Sequence, residues 1–427
     1  MSASRTDRPT PGFSLDPSLL AAAPHRLLFF AGATNVLLAM AWWAAWLLDA
    51  RWQWFALPQS PLFAGWLHAL ILQYQVLPPF MFGFLLTVFP RWMGLPELRR
   101  GHYVPVGLGL LGGQLATVAG AALARPHLVH IGWVLTIAGW CWGLWQLARL
   151  LLAERRAGKG PTWHAWSCFA AMSLGLAGLL LTAVWLHHSD PRLVAWAIRL
   201  GTFGLLLPVY VTVAHRMFPL FAGNVVVGYR PWRPLWLLAL VWVFSLGHLL
   251  LDVAQQQAWL WCVDLPFAAL CAWILWRWWP RAPAPGLLWV LFLGFAWLPV
   301  ALTLFASQSL WLWMHGVVPL GRGPVHALTI GFFGSVLVAM VTRVTQGHSG
   351  QMLLMPAVGL VRVCGAAAGR HRAHPGRSAA RSRPVAGARG LRLAAGLHPM
   401  GAAQCRHLHA SAPRRQTRMT GDWSTAR

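Results

Sequence analysis

Residues 322–343 read RGPVHALTIGFFGSVLVAMVTR, a run of 20 residues without Asp, Glu, Lys or Arg between Arg322 and Arg343. About 20 apolar residues are needed for a helix to cross the hydrocarbon core of a bilayer. Runs of similar length also begin near residues 27, 61, 104, 130, 163, 192, 233, 257 and 286. The sequence therefore predicts an all-α protein, a polytopic transmembrane helical bundle of about ten spans.

The composition supports this prediction and excludes a cytosolic globular protein. Of the 427 residues, 57% are hydrophobic and only 10% are charged, and the mean hydropathy is +0.54. A water-soluble fold of this size carries about 25% charged residues. The 29 Trp residues also favour the boundary between lipid and water, where an indole ring can bury its body and keep its N–H hydrated. We therefore expect the lipid bilayer to be the main partner of the chain.

The net charge of +25 would indicate a nucleic-acid partner in a soluble chain, but its distribution does not. Of the 34 Lys and Arg residues, 13 follow residue 356. Before that point, the amino-terminal end and the even-numbered connections between spans hold 15, and the odd-numbered connections hold five. Because cytoplasmic loops carry the excess of Lys and Arg, we predict a cytoplasmic amino terminus, a polar segment 1–24 on that side, and no nucleic-acid partner.

Three of the spans end in similar sequences, which indicates an internal repeat. Residues 84–94 read FLLTVFPRWMG, residues 211–224 read VTVAHRMFPLFAGN, and residues 336–350 read VLVAMVTRVTQGHSG. Their arginines, Arg91, Arg216 and Arg343, lie 125 and 127 residues apart, which is the length of four helices with short loops. We predict three four-helix repeats with the last one incomplete. The alternative is that arginine simply marks the inner ends of several spans.

The segment after residue 356 has a different composition from the body of the chain. Residues 357–427 are rich in Ala, Arg, Gly, Pro and His and contain no apolar run long enough to span. One hypothesis is a reading-frame shift near residues 355–357, which removes the last two helices of the third repeat. The other is a genuine basic, disordered tail. Translating the remaining frames of the locus distinguishes the two.

The 18 histidines divide between the two sides of the predicted membrane, and eight lie at or near the outer ends of spans. Imidazole is costly in hydrocarbon unless it binds a metal, a proton or another polar group. His68 in the second span and His326 in the tenth lie at comparable depths. If they face each other across a gap, they supply both axial ligands of a haem. The alternative for each is an ordinary hydrogen bond between helices.

Two further groups of residues are candidates for binding a metal or cofactor. In the outer half, His248 of the seventh span is a candidate copper ligand together with His187 or His188, because imidazole suits copper. On the inner side, His348 lies 22 residues beyond His326, about 33 Å along one helix, so any inner site is separate. That site would use Arg343 and His348 for a cofactor and His215 as a metal ligand.

Several motifs resemble those of the NnrS family. They are PHRLLFF at residues 24–30, GFLLT at 83–87, RMFPLF at 216–221, HALT at 326–329 and RVTQGHSG at 343–350. The resemblance covers about residues 24–356, and we treat residues 25–356 as one transmembrane domain. It implies a bacterial inner-membrane protein of twelve spans that contains haem and copper and is linked to nitric oxide metabolism and nitrosative stress. The chain departs from the family at residues 67–71, where LHALI keeps one histidine of the usual WHAHE.

The resemblance and the histidines together predict an integral membrane protein that contains haem and copper. Its expected ligand is nitric oxide, and its role would be to bind nitric oxide or to relieve metal-nitrosyl damage, with no catalytic residue assigned. Two other classes fit the same sequence. Internal repeats and spans interrupted by proline also describe a secondary transporter, and a non-catalytic membrane assembly subunit would need no cofactor at all.

Overall fold

The computed structural model describes residues 17–58 and 62–349. Within these ranges it contains ten long helices joined by short loops. They are α1 (Pro24–Trp52), α2 (Ala64–Met93), α3 (Arg100–Ala122), α4 (Pro126–Arg156), α5 (Trp163–His188), α6 (Pro191–Val225), α7 (Trp236–Val253), α8 (Trp261–Trp278), α9 (Gly286–His315) and α10, which consists of Gly323–His326, Ala327–Gly334 and Ser335–Ser349. A helical turn at Pro17–Leu20 precedes α1, and Gln257–Trp259 forms a 3-10 turn before α8.

Nine of these ten helices in the described part of the chain are long and apolar enough to cross a membrane. The remaining helix, α8, has 18 residues and carries Asp264 and Arg277 near its two ends. The prediction of a polytopic helical bundle is therefore confirmed. We call the side of the bundle where α1 begins the basic side, and the opposite side the far side, because consecutive helices run in alternate directions.

Each of the three repeats contains one helix that is interrupted by a π-helical segment. These segments are Leu72–Val76 in α2, Leu200–Leu206 in α6 and Ala327–Gly334 in α10. They begin 128 and 127 residues apart, close to the spacing of the arginines in the sequence. Because π-helical turns are rare, their recurrence at the same place in three units supports the predicted repeat.

The repeats are also joined by a repeated contact on the basic side. The guanidinium carbon of Arg216 in α6 lies 4.4 Å from the ring centre of Trp92 in α2. In the same way, that of Arg343 in α10 lies 3.8 Å from the ring centre of Phe221 in α6. Each arginine thus stacks on an aromatic ring of the preceding repeat, which stabilises the interface through a cation–π interaction.

Helices α3 and α4 pack closely through glycines, as the pair Gly109 and Gly113 in the sequence predicts. A Cβ atom added at Gly109 would lie 2.6 Å from Cα of Gly139, and one at Gly113 would lie 2.8 Å from the carbonyl oxygen of Gly132. These contacts leave no space for a larger residue. They therefore act in packing and carry no chemistry.

A layer of polar side chains crosses the middle of the bundle at the first π-helical segment. The amide of Gln73 donates to the hydroxyl of Thr202 (2.8 Å), and the hydroxyl of Tyr74 donates to the carbonyl oxygen of Ala197 (2.6 Å). The amide of Gln75 donates to the hydroxyls of Thr117 and Thr136, both at 2.9 Å. These hydrogen bonds join α2 to α3, α4 and α6, so the segment fixes the position of α2 within the bundle.

Candidate functional site

His68 and His326 are neighbours on the far side of the bundle. His68 is half-buried in α2, and its ring lies flat against that of Trp43 in α1, with centres 4.1 Å apart. His326 and Arg322, at the beginning of α10, are the ionisable groups that interact electrostatically with His68. The two histidines that the sequence pairs as axial ligands therefore lie on the same side of the bundle, close enough to interact electrostatically.

The imidazole of His326 is held in one orientation by a backbone hydrogen bond. Its Nδ1 lies 2.8 Å from the carbonyl oxygen of Arg322. Because a carbonyl oxygen only accepts, Nδ1 carries the proton and Nε2 keeps a free lone pair. This is the arrangement that orients a histidine toward a metal. His326 is exposed in the described structure, so its Nε2 is open to a ligand.

The second candidate, His248, is buried in α7 and paired with a carboxylate. Its Nδ1 lies 2.6 Å from Oδ1 of Asp264 in α8, and the two residues are 1% and 0% exposed. Phe203 stacks on the imidazole at 3.6 Å and Phe305 meets its edge at 5.1 Å. Among the described residues, Nε2 of His248 and Oδ2 of Asp264 are buried without a hydrogen-bond partner. A carboxylate that fixes the tautomer of a histidine also leaves Nε2 as its acceptor nitrogen.

The structure does not show the copper partners that the sequence proposes for His248. His187 and His188 lie exposed at the end of α5, with their rings 4.9 Å apart and packed edge to face. Among the described residues, no three His, Cys, Asp or Glu side chains form a group that could hold a metal ion. A copper site with His187 or His188 therefore stays a prediction, and Asp264 is the partner that His248 has in the structure.

On the basic side, His215 is paired with another histidine. Nε2 of His164 in α5 lies 2.9 Å from Nδ1 of His215 in α6, and both side chains are buried. Nε2 of His215 in turn lies 3.2 Å from the carbonyl oxygen of Pro234. Arg343 stacks on Phe221, as described above. The backbone of His348 belongs to α10, and its side chain lies outside the described part of the structure.

Asp264 and His164 are the two partners that sequence reasoning missed. Asp264 lies three residues into α8, and His248 lies five residues before the end of α7. Because α7 and α8 are antiparallel and joined by a short loop, these positions have the same depth. The matching distances from the loop were the signal in the sequence. For His164 the signal was weaker, since α5 and α6 are joined at the far side and the two histidines lie at the other end.

The fold is that of a polytopic helical membrane protein. Within the described residues its third repeat is incomplete. The family model described as NnrS protein matches residues 19–397, nearly the whole chain. The chain therefore belongs to the NnrS family. The match continues beyond residue 356, into a segment that the structure does not describe. No curated protein and no solved structure matches the chain.

Proposed function

We propose that the chain is an inner-membrane haem protein that acts in nitric oxide metabolism or the nitrosative stress response, with its amino terminus in the cytoplasm. The observation that carries this proposal is the proximity of His68 and His326, two imidazoles from different repeats on the same side of the bundle. Membership of the NnrS family supports it, because haem, copper and nitric oxide are what the family resemblance implies.

The side chains around these histidines fit the requirements of a bis-histidine haem site. The Nε2 lone pair of His326 is free because Nδ1 is bound to a carbonyl oxygen. His68 makes no hydrogen bond to another described residue, and Trp43 provides a flat aromatic wall beside it. Arg322 has no carboxylate partner among the described residues and would balance the charge of a propionate. If haem were bound, its ferrous iron would supply a centre for nitric oxide, and one of the two imidazoles would have to leave the iron for nitric oxide to take its place.

The role of the protein at such a site is to exclude water and to admit an apolar gas. Nitric oxide is small and uncharged, so it partitions into lipid and reaches a site between helices without crossing an aqueous channel. The apolar spans on either side of His68 and His326 keep the local polarity low. Low polarity and the identity of the axial ligands are two of the means by which a protein tunes haem iron.

For copper, His248 is the ligand that the structure supports best. Asp264 holds its ring so that Nε2 remains an acceptor inside the bundle, as carboxylates do for metal-binding histidines. Among the described residues no second imidazole lies beside His248. A copper ion there would therefore need further ligands besides His248 and Asp264. The proposal therefore rests on haem.

The test is the optical spectrum and iron content of the full-length chain, purified in detergent from a haem-replete host. We expect a Soret band, and we expect its loss or shift in His68→Ala and in His326→Ala. The matched control is His130→Ala. His130 is also exposed on the far side, and its Nδ1 makes the same bond to the carbonyl oxygen four residues earlier, at 2.8 Å from Pro126. If the three variants gave the same spectrum as the wild type, the ligand assignment would be wrong.

A second candidate function, a proton-coupled secondary carrier, is favoured by the His248–Asp264 pair. Buried His and Asp side chains within spans often carry protons in transporters, and the three interrupted helices resemble the broken helices of carriers. For this class we expect no Soret band and no iron in well-folded protein. In that case Asp264→Asn should abolish proton movement into vesicles that contain the purified chain, while Asp190→Asn, at the half-buried N-cap of α6, should not.

A further inference from the structure

Two arginines are held next to each other on the basic side without an acidic partner between them. Arg216 lies in α6, and Arg233 lies in the loop before α7. Nη1 of Arg233 is 3.4 Å from the carbonyl oxygen of Arg216, and the two guanidinium groups interact unfavourably with each other. Both side chains are half-buried. Like charges in a partly buried setting repel strongly, so the fold must hold them in place.

Buried hydrogen bonds tie the loop that carries Arg233 to α6. The carbonyl oxygen of Pro234 only accepts, so His215 donates to it from Nε2. Nδ1 of His215 then accepts from Nε2 of His164 when both rings are neutral. This chain of hydrogen bonds joins α5, α6 and the residue next to Arg233. The two arginines therefore keep their spacing although they repel each other.

The neighbouring groups do not neutralise this charge. The acidic side chain that interacts with Arg216 on the basic side is Glu154, at the end of α4. Glu154 is buried and already accepts hydrogen bonds from the backbone N–H and the hydroxyl of Thr162. Neither arginine forms an ion pair with another described residue. Burial also lowers the pKa of Arg233, because desolvation disfavours the charged form of a guanidinium.

Trp92 adds an aromatic wall to the pair. The guanidinium of Arg216 lies over its ring, and its N–H groups make no hydrogen bond to another described residue. Arg presents its donors in a planar fork that matches two oxygens of a phosphate. Basic pockets between spans on the cytoplasmic side are places where anionic lipid head groups bind.

We propose that Arg216 and Arg233, with Trp92 beside them, form a binding site for the phosphate of an anionic glycerophospholipid from the leaflet on the basic side. The acyl chains would lie along the apolar outer surface of the bundle. The phosphate would offset the repulsion between the two guanidinium groups and join the first repeat to the second. The site is separate from the proposed haem site, because it lies at the other ends of the helices.

The proposal is tested by native mass spectrometry of the full chain, delipidated in detergent and titrated with phosphatidylglycerol. For the wild type we expect one phosphatidylglycerol molecule that binds more tightly than any others. For Arg216→Gln with Arg233→Gln we expect its affinity to fall at least about tenfold, the loss typical of a charge-assisted hydrogen bond. The matched control is Arg155→Gln. Arg155 also lies on the basic side and over an indole ring, 4.8 Å from Trp166, but it is exposed.

Two further measurements keep the test decisive. The double variant with Arg216→Lys and Arg233→Lys keeps both charges, so it should retain phosphatidylglycerol binding. Gel filtration and near-ultraviolet circular dichroism show whether each variant is folded. Equal affinities in the wild type and the Gln variant would overturn the site. Binding of inorganic phosphate with no binding of phosphatidylglycerol would refute the proposal that the ligand is a lipid. The ligand of the site would then be a free oxyanion. Neither result depends on the presence of haem.

Discussion

The pairing of His248 with Asp264 makes a quantitative prediction about stability. Both side chains are almost fully buried, and each already has one polar atom with no hydrogen-bond partner in the described part of the chain. Replacing Asp264 with Leu would leave both ring nitrogens of His248 unsatisfied in an apolar environment. An unsatisfied buried polar atom costs roughly 1–3 kcal/mol, and removing one member of a buried pair roughly 3–5 kcal/mol. We therefore expect Asp264→Leu to lower the free energy of unfolding by about 3 kcal/mol.

Replacing both members should cost less than replacing either one. His248→Phe removes the imidazole but keeps an aromatic ring between Phe203 and Phe305, and it leaves the carboxyl group of Asp264 without its partner. In the double variant no polar atom of the pair remains, and such apolar replacements of buried pairs are often neutral. The coupling energy in the double-mutant cycle should be about 2 kcal/mol or more.

The assay is reversible unfolding of the purified chain in mixed micelles, with increasing fractions of sodium dodecyl sulfate and helix content as the signal. Asp190→Asn is the control, because Asp190 is paired with Arg192 at an exposed loop, and we expect no measurable change from it. If the effects of the two single substitutions simply added in the double variant, the two side chains would not act as a pair and the reasoning would be refuted.

Three other predictions follow from the packing. Gly109→Ala should destabilise the bundle by roughly 1–3 kcal/mol, because its Cβ would meet Cα of Gly139 at 2.6 Å. Gly101→Ala should not destabilise the bundle, because the space around Gly101 is open. The same unfolding assay compares the two variants. Tyr74→Phe should cost about 1 kcal/mol, since it removes the 2.6 Å hydrogen bond to Ala197, and an unchanged midpoint would contradict this. Lys159→Met should loosen the end of α2, because its ammonium group donates to the carbonyl oxygens of Met93 and Gly94, and faster hydrogen exchange at residues 93–98 would show it.

The helices and the repeat could be predicted because bilayer crossing imposes simple rules on a sequence. A span needs length and low charge, and both can be read residue by residue, so the ten predicted runs correspond to the ten long helices of the described residues. The spacing of Arg91, Arg216 and Arg343 similarly anticipated the period of the π-helical segments. The segments themselves could not be foreseen, because Leu72–Val76 and Ala327–Gly334 share no residue pattern that distinguishes them from ordinary helix.

The sequence predicts how deep each candidate residue lies along its helix, but it predicts only some of the residues that contact it. Depth follows from the distance of a residue to the end of its helix, and in the structure His68, His248 and His326 lie toward the far-side ends of α2, α7 and α10. Partners depend on the rotation of each helix about its axis, which the mainly apolar spans do not reveal. For that reason the contact of His248 with Asp264, and of His215 with His164, became visible only in the structure.

The π-helical segments also explain why rotation is difficult to infer in this protein. A π-helical turn contains about one more residue than an α-helical turn, and one residue corresponds to about 100° around the axis. The half of α2 that carries His68 is therefore out of phase with the half that carries Arg91, and a helical wheel drawn through the whole span assigns one of them to the wrong face. Removing a single residue from Leu72–Val76 would restore a uniform α-helix at little cost to its length, yet it would turn the imidazole of His68 away from α10.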